Sequence, residues 1–196
     1  PGDVVAIERP AYVGAVQALS GSQPRFLPIE VDHDGLATDQ LEASLFAGYK
    51  VRLCYVTPNF QNPTGATLSE PRRKHLLRLA EHYGFLIVED DPYRMLRYDG
   101  SDLTSLGARS DRVIRLGSAS KTIAPGLRVG WIVAPSWLVE PIVRLKQAVD
   151  LHTASLNQLV VADLLDDQAF FEHHRRHLVE LYRNRRDALA AALRDR

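Results

Sequence analysis

Short apolar runs alternate along the chain with stretches in which apolar residues recur every three or four positions. Val4 to Glu8 is a short apolar strand, and Arg9-Pro10-Ala11-Tyr12 is the loop after it. A small helix follows to about Leu19, and Gly21-Ser22-Gln23-Pro24 turns the chain into a second strand, Arg25 to Val31. After the Asp32–Gly35 loop, Thr38 is placed to cap a helix from Asp39 to Phe46. Val51 to Val56 is a strand that runs straight into Thr57-Pro58-Asn59-Phe60-Gln61-Asn62-Pro63-Thr64-Gly65.

Ser69 is placed to cap the next helix, whose first turn tolerates Pro71. Leu76, Leu79, Ala80 and Tyr83 keep helical spacing, and Gly84 suits the left-handed residue that ends such a helix. Phe85 to Val88 is almost wholly apolar, as a strand covered on both faces is. Val113 to Leu116 and Val129 to Val133 repeat that pattern. Ser136 starts a helix to about Val149, and Ser155 with Gln158 has capping-box spacing for another reaching about Leu165. From Ala169 to the end runs a long charged helix, with Phe171, Leu178, Leu181, Tyr182, Leu189 and Leu193 on one stripe. Strands alternating with helices predict an α/β fold with a mainly parallel sheet.

Composition narrows the class. Of 196 residues, 45% are hydrophobic and 24% charged, ordinary for a globular protein with a real core. Lys plus Arg and Asp plus Glu balance at 24 each, so no global charge calls for nucleic acid or an anionic membrane. The single cysteine, Cys54, excludes an internal disulfide and fits a reducing, cytoplasmic setting; within an apolar strand it reads as packing. No apolar run approaches membrane-spanning length. The chain opens without Met and stops within a helical pattern, so it reads as an excerpt of a longer protein.

Ligands of parallel α/β sheets gather at the carboxyl ends of the strands, and three polar clusters fall there. Asn62 follows the strand at Val51, Asp90 follows Phe85, and Ser118 to Lys121 follow Val113. In the last, Ser118 and Ser120 precede Lys121, and Arg128 stands seven residues further on, past a Pro-Gly turn. An amine can condense with an aldehyde, while two hydroxyls and a guanidinium can hold a phosphate. Asp90, with Tyr93 three residues on, offers a carboxylate for a ring nitrogen and a phenol for a ring oxygen. The Asn62 amide can donate to the same oxygen, and Tyr12 could lie against a ring. His173, His174 and His177 share one helix, but Arg175 and Arg176 interleave with them and no acid or cysteine completes a metal set, so they read as a solvated face.

Asn62-Pro63-Thr64-Gly65, the Asp90/Tyr93 pair and Ser118-Ala119-Ser120-Lys121 with Arg128 together resemble the class I/II, fold type I aminotransferases that use pyridoxal 5′-phosphate (PLP). The resemblance covers essentially the whole chain. Pro58-Asn59-Phe60-Gln61-Asn62 and Asp150-Leu151-His152-Thr153 make it most similar to the α-aminoadipate/kynurenine-type branch. It implies a three-layer sandwich, the large domain of a PLP transferase in part. Residues 1–167 would belong to that domain, and 168–196 would form a long helix leading toward a small domain. Lys121 would form the internal aldimine and act as proton carrier. Asp90 would pair with the pyridinium nitrogen, Tyr93 and Asn62 with O3′. Ser118, Ser120 and Arg128 would bind the phosphate, and Tyr12 would stack on the ring. The reaction implied is transfer of an amino group between an amino acid and a 2-oxo acid, by a homodimer when full length. A second phosphate loop and the arginine that grips the substrate α-carboxylate fall outside the segment, so the segment alone is expected to be inactive.

A rival of another class is the PLP-binding effector domain of a GntR-family transcription regulator. Asn62 before Pro-Thr-Gly, and Pro92 between the acid pair and Tyr93, lean against it. A different PLP reaction, such as β-elimination, is a third option.

Overall fold

The computed structural model describes residues 1–194; the last two positions of the expected terminal helix, Asp195 and Arg196, lie outside the described residues. Seven strands are present: β1 (Val4–Arg9), β2 (Arg25–Asp32), β3 (Gly35–Leu36), β4 (Val51–Val56), β5 (Leu86–Asp90), β6 (Val113–Ser118) and β7 (Gly130–Val133). They form one sheet in the order β3-β2-β1-β4-β5-β6-β7. β1 is parallel to β2 and β4, β4 to β5, and β5 to β6. The two-residue β3, which sequence periodicity is too short to reveal, is antiparallel to its neighbour β2. Its Gly35 has φ 87°, and a Cβ there would lie 2.7 Å from Leu68 Cα, so glycine alone fits this return.

Backbone contacts divide the chain into two compact units. The first comprises Pro1–Asp91, Leu103–Gly117 and Ile132–Pro141; the second comprises Pro92–Asp102, Ser118–Trp131 and Ile142–Arg196. In the first, helices α1 (Val13–Ser20), α2 (Thr38–Phe46) and α3 (Glu70–Tyr83) cover the strands. Successive strand residues point to opposite faces. Ala6, Cys54 and Ile87 accordingly join Leu41 and Leu45 of α2 and Leu76 and Leu79 of α3 in one buried cluster. Their neighbours Ile7 and Tyr55 pack with Ala15 of α1 in another. The result is three layers, α/β/α, around a mainly parallel sheet, as expected.

The second unit holds most of α4 (Ser136–Asp150), together with α5 (Ser155–Asp166) and α6 (Gln168–Arg194). Three arginines of α6 reach the irregular 92–102 segment. Arg175 Nη1 donates to Met95 O over 3.4 Å, Arg183 Nη2 donates to Tyr98 O, and Arg186 Nη1 pairs with Asp99 Oδ2 at 2.7 Å. Long guanidinium stems thus satisfy backbone groups that no strand or helix satisfies. Among the described residues, no helix is long and apolar enough to cross a membrane.

Several local expectations need correction. Thr38 is not a cap: it is the first residue of α2, after Ala37, and its hydroxyl meets His75 Nδ1 at 3.0 Å. Ser69 does precede α3, but its side chain makes no capping bond. Ala154, not Ser155, caps α5, and Gln158 Nε2 donates to Thr153 O at 2.7 Å instead of closing a capping box. Gly84 ends α3 as expected, with φ 77° and its N–H on Ala80 O at 3.0 Å. β7 is exposed throughout, because it is the last strand of the order and its apolar residues have no cover. The α6 stripe is buried only at Phe171, while Tyr182, Leu189 and Leu193 are exposed. His173 and His177 are exposed, but His174 is half-buried, stacked on Phe170 with ring centroids 5.7 Å apart.

Candidate active site

The first unit gathers Tyr12, Asn62 and Asp90 from loops or strand ends that follow the adjacent strands β1, β4 and β5. Tyr12 is exposed in the loop before α1, with its ring over Gly14; a Cβ on Gly14 would meet the ring at 2.6 Å. Asn62 is half-buried and joined to Pro63 by a cis peptide bond. Asp90 closes β5, paired in register with Leu116 of β6.

The two neighbouring acids have different environments. Asp91 accepts a hydrogen bond from Asn59 Nδ2 at 2.9 Å. Asp90 Oδ2 accepts one from the hydroxyl of Tyr55, and its Oδ1 takes none among the described residues. Burial raises the Asp90 pKa, and the Tyr55 hydroxyl pulls it back down by favouring the ionised carboxylate. Asp90 thus has one oxygen, Oδ1, left for a ligand.

Behind this end of the sheet lies a network that sequence reasoning missed. Glu8, near the end of β1, is 2% exposed, and its carboxylate accepts from Thr57 N and from Gln61 Nε2, each at 3.2 Å. Desolvation pushes its pKa up to about 8, and the nearby Asp90 charge adds to the effect. Gln61 Nε2 also donates to Pro10 O at 2.8 Å, while its Oε1 accepts from Thr64 Oγ1 at 2.6 Å. One amide thus ties the loop of Tyr12 to the loop of Asn62. Arg73 of α3, fully buried, donates to Leu68 O and Pro58 O at 2.8 Å, to Asn59 Oδ1 at 3.0 Å and to Thr104 O at 3.2 Å, which fixes the start of the same loop. A carboxylate closing an apolar strand was the legible signal for Glu8. For Tyr55 it was a tyrosine inside one, since a buried hydroxyl needs a partner.

The second unit gathers Tyr93, Ser118, Ser120, Lys121 and Arg128. Ala119 N donates to Val129 O at 3.0 Å, closing the loop between β6 and β7. Ala119 and Val129 are buried against Val161 of α5, and Asn157 Nδ2 of the same helix donates to Leu127 O at 2.8 Å. Arg128 follows with φ 53° and is exposed. Ser120 N donates to Ser118 Oγ at 3.1 Å. Lys121 Nζ stands 5.9 Å from the centroid of the Tyr93 ring. Arg128 Nη1 donates to Pro125 O at 3.4 Å, and neither Lys121 nor Arg128 has an acid partner among the described residues, so their charges are left for an anionic or electrophilic ligand.

Each unit carries donors of the kind PLP takes. In the second, an amine can take an aldehyde and a guanidinium with two hydroxyls a dianionic phosphate; in the first, a carboxylate with one open oxygen can take a protonated ring nitrogen. Cys54 is fully buried and its thiol pKa is raised by burial, which leaves it as packing and not a nucleophile. Among the described residues, no three His, Cys, Asp or Glu side chains gather for a metal ion.

Comparison with known proteins gives the same assignment. The family model "Aminotransferase class I and II" matches residues 1–196. The aromatic-amino-acid aminotransferase 1 of Thermococcus litoralis is 40% identical over 100% of this chain and 48% of its own length. The 2-aminoadipate transaminase of Thermus thermophilus is 39% identical over 98% of this chain and 49% of its own. A crystal structure of the Pyrococcus horikoshii kynurenine aminotransferase superposes with a TM-score of 0.95 at 40% identity, over 99% of this chain and 49% of that one. The chain spans about half the length of the relatives it matches. On the family match and on these relatives, the chain belongs to the class I and II aminotransferases.

Proposed function

We propose that the protein carrying this segment is a PLP-dependent transaminase that moves an amino group between an amino acid and a 2-oxo acid. Membership of the family and the names of the similar proteins support the reaction class. The single observation that carries the assignment to residues is the closed 118–129 loop, which gathers Ser118, Ser120, Lys121 and Arg128, with no acid partner for the amine or the guanidinium among the described residues.

PLP, when bound, supplies an aldehyde that captures the amino group and a ring that takes up the electron pair left as the Cα proton departs. The chain's own residues do the rest. Lys121 would hold the cofactor's aldehyde through its amine and, when that amine is free, would carry the proton taken from substrate Cα. Asp90 would accept a hydrogen bond from the ring N–H and keep that nitrogen protonated. Tyr93 and Asn62 would donate to the ring oxygen, Tyr12 would stack on the ring, and Ser118, Ser120 and Arg128 would hold the phosphate. Arg128, forked and permanently charged, suits a dianion better than lysine would.

In this reading residues 1–167 form part of the large domain, and the helix from 168 leads toward the small one. The working protein is a homodimer, and one buried cysteine accords with a cytoplasmic setting. The test is reconstitution of the full-length protein with PLP, borohydride reduction and peptide mapping, with transamination assayed in parallel. The reduced adduct is expected on Lys121, and Lys121→Ala is expected to lose adduct and turnover together. An adduct on another lysine, or turnover retained in Lys121→Ala, overturns the assignment.

A further inference from the structure

Tyr55 donates a hydrogen bond to Asp90, and the proposed chemistry leaves it without a task. It lies on β4 opposite Val88 of the parallel strand β5, and Asp90 is two residues beyond Val88, on the same face of the sheet. The ring is 4% exposed, packed in the cluster that holds Ile7 and Ala15, with Val88 against it. A ring so confined holds its hydroxyl in place, and the hydroxyl donates to Asp90 Oδ2.

We propose that Tyr55 is a positioning residue for Asp90, committing Oδ2 so that Oδ1 serves the cofactor ring nitrogen, and keeping the shared proton on that nitrogen. The inference rests on the reading of Asp90 given above. A hydrogen bond to a carboxylate stabilises its charged form, which makes Asp90 a weaker base and leaves the proton on the ring. Two influences pull the other way: burial of Asp90, and the charge of Glu8 from β1 whenever that group is ionised. Without the hydroxyl they act unopposed, Asp90 becomes more basic, and the proton moves from the ring nitrogen to the carboxylate. A role confined to packing would leave the proton where it is, since phenylalanine fills nearly the same volume.

The experiment uses full-length holoprotein loaded with PLP labelled with ¹⁵N in the pyridine ring. In Tyr55→Phe the nitrogen resonance should move toward that of unprotonated pyridine. kcat should fall about tenfold, the effect of losing one hydrogen bond to a charged group. KM should change less than about twofold, since the residue contacts no substrate. 3-Fluorotyrosine at position 55 keeps the shape and strengthens the donor, so its resonance should move the opposite way; it also serves if Tyr55→Phe does not fold. A ¹⁵N signal unmoved in the folded variants overturns the inference, whatever happens to kcat, while a borohydride adduct still on Lys121 leaves the functional reading standing. Absence of that adduct in the unsubstituted protein is instead the failure of the functional reading.

Discussion

Asn157 donates from Nδ2 to Leu127 O over 2.8 Å, so a residue of α5 anchors the turn immediately before Arg128. Arg128 itself sits in a left-handed conformation, φ 53°, which costs a non-glycine residue about 1 kcal/mol or more and persists only where its surroundings hold it. Asn157→Ala should therefore weaken PLP binding by the full-length apoprotein roughly fivefold, about 1 kcal/mol for one lost hydrogen bond, while the adduct on Lys121 survives. Titration of the apoprotein with cofactor checks this; an unchanged Kd would show that the turn holds itself.

Glu8 gives the fold a pH dependence of definite sign. Its folded pKa, about 8, lies above the ordinary 4.5, so the folded protein keeps a proton that the unfolded chain has released. Stability is then greatest below about pH 4.5, as far as this group is concerned, and falls as pH rises from about 4.5 to 8. The total effect is on the order of 5 kcal/mol at most. Glu8→Gln should flatten that slope in denaturant midpoints measured from pH 5 to 9. A slope unchanged in the variant would assign the pH dependence to other groups.

Arg73 is a buried cation held by four acceptors and no carboxylate at hydrogen-bonding distance. Arg73→Met keeps much of the volume but leaves Pro58 O, Leu68 O, Thr104 O and Asn59 Oδ1 short of a donor. The cost should be about 3–4 kcal/mol in urea unfolding, well above the value for an exposed arginine. Arg72→Met, at a half-buried position where the pair with Asp32 and the bond to Gly35 O are lost, is the comparison and should cost less, about 1–2 kcal/mol.

Much of the molecule was legible residue by residue. Strand and helix periods located every α-helix and six of the seven strands, because burial on one face or two writes itself into the order of apolar residues. The two-residue β3 escaped, being shorter than any period. Capping was read less well at Thr38 and Ser155, since a hydroxyl near a helix start bonds the backbone only if nothing better is in reach, and His75 was in reach of Thr38. The candidate residues announced themselves by chemical type and by position after apolar strands. Their supports, Tyr55, Glu8, Gln61, Arg73 and Asn157, did not.

What the order of residues determined by itself was local: which segments are strands or helices, which strand ends are polar, and that an amine, two hydroxyls and a guanidinium share one loop. Which donor each of two adjacent acids meets was decided only by folding, because Asn59 and Tyr55 reach Asp91 and Asp90 from a different strand and its loop. The same holds for Glu8, whose proton affinity is set by the desolvation that packing imposes on it. Hydrogen-bond partners and dielectric surroundings are properties of neighbours in space, and the chain brings these together from segments tens of residues apart.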